Sequence, residues 1–239
     1  MAAPELQLVE AGGATVWRVG RAPDPWAWID PRYAGNARWD DPDVAFRTTY
    51  AADSAFGCFV ELLAYSRPDV NEDGSDMLKG IVEDPQDAAE FPTPPAGSIE
   101  RHWVTGRMLG EAMLDGSYVD VRSSATIAAL RPQYVRLALS LGFDDFDAAA
   151  LKRAYPRELT HRLTVDFYAL TREDGVPIAE GVRFGSRHGD DLALWAIFER
   201  PGDDPASRHL HQISSRIVDT DEVNLIQAME LHGLTWRDS

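Results

Sequence analysis

The stretch Thr49-Tyr-Ala-Ala-Asp-Ser-Ala-Phe-Gly-Cys-Phe-Val-Glu-Leu-Leu63 changes its period halfway along. Val44–Tyr50 reads as a strand, and Asp53 or Ser54 then caps a helix running to about Tyr65. Phe56, Phe59, Val60 and Leu63 recur at helical spacing and form the core face of that helix. Glu61 stands inside Phe59-Val-Glu-Leu-Leu63, the most apolar part of the segment. Its helical neighbours are Gly57, Ala64 and Tyr65. A carboxylate there either faces solvent on an amphipathic helix or points at a ligand that the small residues Gly57 and Ala64 let approach.

Outward from this segment, Thr15–Val19, Arg101–Thr105 and Tyr118–Val121 read as strands. The middle of the chain is helical, over Ser124–Leu130, Gln133–Leu141, Phe146–Arg153 and Pro156–Leu170. Gly181–Phe184 and Leu192–Phe198 read as strands, the second apolar throughout and so buried on both faces. Asp221–His232 is a final helix closed by Gly233 and packed on the same domain. Strands at both ends with helices between them predict a single α+β domain. Residues 1–14 are read as a loosely held segment. Pro68 to Gly97 holds five prolines, eight carboxylates and one lysine, and is read as an exposed acidic insertion.

The 239 residues carry a net charge of −16, which excludes nucleic acid as a partner because no cation excess exists to neutralise phosphates. The cations are 21 arginines and 2 lysines, and arginine grips phosphate bidentately, so a local anion site is compatible with an acidic protein. One cysteine, Cys58, forbids an intrachain disulfide and reads as packing in the core helix. The longest apolar run, Leu192–Phe198, falls far short of the ~20 residues that span a bilayer. The expected setting is a cytoplasmic one, away from membrane.

Other candidate chemistry is local. Ala37-Arg38-Trp39, with Tyr50 at the end of the following strand, suits a site that holds phosphate and stacks a planar ring. In Gly181-Val-Arg-Phe-Gly-Ser186-Arg187-His-Gly-Asp190-Asp191, Ser186 is a turn residue, a ligand-binding hydroxyl or a nucleophile. The nucleophile elbow G-x-S-x-G is absent, since Phe184 fills the first glycine position. Asp69-Val-Asn71-Glu-Asp73-Gly74 opens like a calcium loop, but Gly80 stands where the bidentate glutamate belongs. His209-Leu-His211 lacks the further ligands of a zinc site, and no metal is expected.

Taken in order, Arg38-Trp39, Thr49-Tyr50-Ala51-Ala52-Asp53-Ser54, Glu61-Leu62-Leu63 and Gly181–Arg187 resemble the RES domain family, named for its Arg, Glu and Ser. Arg157-Glu-Leu-Thr160-His161-Arg-Leu-Thr is similar to that family too, and the resemblance runs from about Val16 to Val218. It implies a RES-like domain over 15–220 with an ADP-ribosyltransferase-like split β core and a helical middle segment. NAD would lie in a cleft as the substrate, with no further cofactor, and its nicotinamide–ribose bond would be cleaved by hydrolysis or phosphorolysis. Transfer of ADP-ribose to a protein, or nucleotide binding without turnover, are the alternatives. The resemblance implies that Glu61 is the catalytic carboxylate, that Arg38 holds the NAD phosphates, and that Tyr50 packs on the nicotinamide–ribose end. It implies that Ser186 bonds near that ribose, with Arg18, Trp39 and Arg187 completing the NAD-binding set. Many such proteins are toxins, so a separately encoded antitoxin is the implied partner, and a homo-oligomer is left open. Ala37 and Asp40 stand where the family usually has Gly and Asn, and Phe184-Gly185 replaces its Tyr-Pro.

Overall fold

The computed structural model describes residues 5–68 and 97–237. Among them the chain forms β1 (Leu8–Glu10), β2 (Ala14–Arg21), β3 (Thr48–Ala52) and α1 (Ala55–Leu63). Next come β4 (Ser98–Glu100), β5 (Arg107–Leu114) and β6 (Ser117–Asp120), then α2 (Ser124–Ser140), α3 (Ala148–Lys152) and α4 (Glu158–Ala169). The C-terminal part holds β7 (Gly181–Gly185), β8 (Ala193–Phe198), β9 (Leu210–Ile217), α5 (Val223–His232) and β10 (Thr235–Arg237). This is one mixed α+β domain around an eight-stranded sheet of order β1-β6-β7-β8-β3-β2-β5-β9, with a two-stranded β10-β4 sheet beside it.

The sheet is curled because one ribbon serves both of its ends. β2 pairs β5 along its whole length, from Ala14–Leu114 to Arg21–Arg107, and the same two chains continue into the β1–β6 pair. The turn at Gly12 and Gly13 lies against the turn at Gly116, with Ala11 N donating to Gly116 O and Gly13 N to Leu114 O, each at 2.9 Å. All three glycines have positive φ, which a side chain would oppose. The helical segment α2–α4 forms the crossover between the parallel strands β6 and β7.

Three apolar clusters hold the layers together. Phe146, Leu159, Leu163, Phe167 and Phe198 pack the α2–α4 helices against one face of the sheet. Val16, Trp26, Leu114, Tyr118 and Trp195 fill the other side. Phe59, Val60 and Leu63 of α1 meet Leu225, Ala228 and Met229 of α5, and His232 Nε2 lies 2.9 Å from Val60 O. Strand β8 is buried at all six positions, as its unbroken apolar run predicts. β7 presses so closely on it that a Cβ at Gly181 would stand 1.9 Å from Ala196 O.

The α1 prediction holds, and Ser54 rather than Asp53 is its cap, its hydroxyl accepting from Gly57 N at 3.0 Å. Several boundaries move. The strand predicted at Val44–Tyr50 is Thr48–Ala52, because the Asp41 carboxylate accepts from Asp43 N and Ala45 N and holds those residues in a turn. Arg101–Thr105 is not a strand; Arg101–Val104 is a 3-10 turn that buries Trp103 against Phe59, and β4 and β5 lie to either side. Ser124–Ser140 is one helix through Pro132, whose ring sits on the exposed face. The segment 1–14 contains β1, tied down further by Gln7 N donating to Thr126 Oγ1 at 3.0 Å. The acidic insertion and the calcium-like loop fall almost wholly outside the described residues. No helix among the described residues is long and apolar enough to cross a membrane.

Candidate functional site

The capped helix α1 carries Glu61 to the edge of a cavity of about 540 Å³, walled by β2, β3, the loop before β3, the approach to α4 and the turn after β7. Ser186 begins that turn. Its backbone N donates to Leu192 O at 2.9 Å, and its hydroxyl accepts from His188 N at 2.8 Å. The same hydroxyl donates to Glu61 Oε1. Ser186 is 1% exposed, so it reaches the cavity only through Glu61. Its hydroxyl orients the Glu61 carboxylate.

Arg38 enters from the loop before β3, and a set of tethers fixes that loop. Tyr50 Oη donates to Asp40 Oδ1 at 2.7 Å and accepts from Trp39 N at 2.9 Å. Asp40 Oδ2 accepts from Ala37 N at 2.8 Å, and His161 Nε2 of α4 lies 2.9 Å from Ala37 O. Burial pushes the Tyr50 phenol well above its ordinary range, and the neighbouring Asp40 carboxylate adds to the effect. Tyr50 lines the cavity, but its polar end belongs to the loop scaffold.

The Arg38 guanidinium lies 5.6 Å over the Phe184 ring, and its buried Nη1 has no hydrogen-bond partner among the described residues. Burial lowers its pKa, and the opposing charge of Glu61 works in the other direction. A buried guanidinium with an unused donor is suited to an anionic ligand. Trp39 is different: it is fully buried, with its ring 5.8 Å from Phe184, and belongs to the core rather than to the cavity wall.

Arg18 lines the cavity from β2, but two of its donors are engaged, Nε to Pro25 O at 2.7 Å and Nη1 to Tyr50 O at 2.8 Å. Desolvation lowers its pKa. Arg187, exposed, stands on the rim. The structure thus brings Arg18, Arg38, Tyr50, Glu61 and Arg187 to one cavity, with Ser186 directly behind Glu61.

Sequence reasoning left several wall residues without a role. Arg157 and Tyr155 face the cavity, the guanidinium 4.5 Å over the phenol ring. His188 lies on the rim, its pKa pushed down to about 4 by burial first and then by the nearby arginines Arg67 and Arg187. Cys58 also lines the wall; its thiol donates to Trp17 O at 3.0 Å, and burial raises its pKa to about 12. Only the proximity of Arg157 and His161 in one quoted motif hinted at this wall.

Four arginines and one carboxylate therefore line a cavity in a protein of net charge −16. Such a wall concentrates positive potential where it is least expected and favours a phosphate-bearing ligand. Among the described residues, no group of three or more His, Cys, Asp or Glu is placed to hold a metal ion. In comparisons with known proteins, no family model matches the chain, no curated protein matches it and no solved structure matches it.

Proposed function

We propose that this chain is a RES-type, NAD-consuming enzyme with an ADP-ribosyltransferase-related fold, which cleaves the nicotinamide–ribose bond of NAD. The observation that carries the reading is the oriented Glu61 carboxylate, fixed by Ser186, in a cavity whose wall also carries four arginines among apolar and aromatic residues. A dinucleotide joins the two features that this cavity accommodates: an anionic diphosphate for the guanidinium groups and a positively charged nicotinamide glycoside for the carboxylate.

The chemistry needs few groups. Arg38, with Arg157 and Arg187, holds the diphosphate and so positions the glycosidic bond against Glu61. The C–N bond breaks with its electron pair leaving on nicotinamide, which departs neutral. The ribose becomes oxocarbenium-like, and the adjacent carboxylate stabilises the positive charge developing on it. Water adds its oxygen to the anomeric carbon and releases one proton, giving ADP-ribose. Ser186 keeps the carboxylate aimed by donating to it. In this reading a separately encoded antitoxin is the partner, and its action is to cover the cavity.

Nicotinamide release from NAD by the purified protein is the test. Release that falls at least a hundredfold in Glu61→Gln supports the reading. No release, or release undiminished in that variant, overturns it. Label from NAD found on protein instead of in free ADP-ribose selects ADP-ribosyl transfer.

A further inference from the structure

A second cavity, of about 500 Å³, adjoins the first and shares Arg18, Val19 and Leu62 with it. Two of its wall residues are Arg21 and Arg107, which stand directly opposite each other in the β2–β5 register. Like charges at such a cross-strand pair repel and cost stability. Neither arginine has a carboxylate partner among the described residues. Arg21 Nη1 makes one long bond, to Thr105 O at 3.4 Å, and Arg107 lies 4.0 Å over the Trp103 ring. Burial first, and then the charge of Arg21, lower the Arg107 pKa, while Tyr65 works in the other direction.

The two acids of this cavity are already engaged. Asp24 accepts from Trp26 N at 2.8 Å, and Asp30 pairs with Arg32 at 2.7 Å. A dianion would satisfy both arginines at once. A phosphomonoester fits that need better than a diphosphate bridge, because it presents a terminal, doubly charged group that both arginines can approach.

Position along β2 indicates which phosphate. Arg18 borders both cavities, and Arg21, roughly 10 Å farther along the strand and on its opposite face, lines the second cavity with it. A dinucleotide with its glycosidic bond at Glu61 and its diphosphate on Arg38, Arg157 and Arg187 would extend its adenosine across the border at Arg18, Val19 and Leu62 that the two cavities share. We propose that Arg21 and Arg107 form a phosphomonoester site for the 2′-phosphate of that adenosine, so that NADP is preferred to NAD. The inference rests on the dinucleotide-cleaving reading above and adds to it a choice of substrate.

The test measures kcat/KM for nicotinamide release from NADP and from NAD, together with calorimetric binding of each, in wild type and in the Arg21→Ala/Arg107→Ala double variant. A circular-dichroism melt verifies folding, and Arg107→Lys gives a variant that keeps the charge. The expected result is a preference for NADP of about tenfold or more, lost in the double variant and partly kept in Arg107→Lys. A ratio near one in wild type, or a preference unchanged in the double variant, overturns the proposal. Where neither dinucleotide is cleaved, the cleavage reading fails, and the isotherms alone decide: tighter NADP binding that depends on both arginines sustains the site, and equal binding overturns it. Inorganic phosphate alone binding as tightly as NADP marks a free-anion site and likewise overturns the dinucleotide assignment.

Discussion

Glu61 and Ser186 stand 125 residues apart in the chain and are joined by a direct hydrogen bond from hydroxyl to carboxylate. The bond depends on two separate pieces of local structure. The Ser54 cap starts α1 at the position that turns Glu61 toward the cavity, and the close β7–β8 contact at Gly181 sets where the Ser186 turn begins. A hydrogen bond to a charged group is worth roughly 1.5–3 kcal/mol, so its loss is measurable.

Ser186→Ala removes that donor while leaving the cavity wall intact. On the reading proposed above, steady-state nicotinamide release is expected to show a kcat lower by roughly 10- to 100-fold with KM nearly unchanged, because the variant disturbs the aim of the carboxylate and not the proposed phosphate contacts. A fall confined to KM would assign Ser186 to ligand binding instead.

Tyr50→Phe deletes the hydroxyl shared by Asp40 and Trp39 N. Buried polar groups left without a partner cost about 1–3 kcal/mol, so the melting temperature drops and the Arg38 loop loosens. The wild-type phenol also sets a pH dependence. Its folded pKa lies well above the ordinary 10, so the folded state keeps a proton that the unfolded state loses, and stability declines as pH rises above about 10. Ultraviolet titration of the tyrosines in wild type and Tyr50→Phe checks this directly.

His188 gives the opposite limb. Its folded pKa of about 4 is below the unfolded 6.5, so between those values the unfolded state binds the extra proton. Its contribution to stability is complete above pH 6.5 and is lost as pH falls toward 4. Urea unfolding at pH 7 and pH 5, compared between wild type and His188→Gln, is expected to show a smaller acid loss in the variant.

Cys58 lines the cavity wall, yet its thiol is tied to Trp17 O and its pKa is raised to about 12. At pH 8 an aromatic disulfide reagent is expected to label it only in denaturant. Rapid labelling of the folded protein would show a thiolate at the wall.

Helix α1 and strand β8 were legible in the sequence because each carries a single strong signal. One has a capped 3.6-residue period, and the other an unbroken apolar run. β9 was not legible: Leu-His-Gln-Ile-Ser-Ser-Arg-Ile is exposed at seven of eight positions and owes its conformation to pairing with β5. The Arg101–Thr105 segment was misread because Trp103 is buried by a tight turn, which a strand pattern mimics. For the site, the resemblance named Arg38, Tyr50, Glu61 and Ser186, and the structure brings them together. It could not separate groups that face the cavity from those that hold them there. Ser186, the Tyr50 hydroxyl and Trp39 work from behind, while Arg157 and His188 come forward. That division depends on which atoms are already hydrogen-bonded, and residue type alone does not encode it.

The rear of α1 is covered by α5, and Val60 O meets His232 from 172 positions downstream. During synthesis on the ribosome, the segment bearing Glu61 therefore waits for its cover. At 5–20 residues per second the delay is roughly ten to thirty seconds. The wall of the cavity that carries Glu61 is thus backed by its full packing only once the C-terminal helix has emerged.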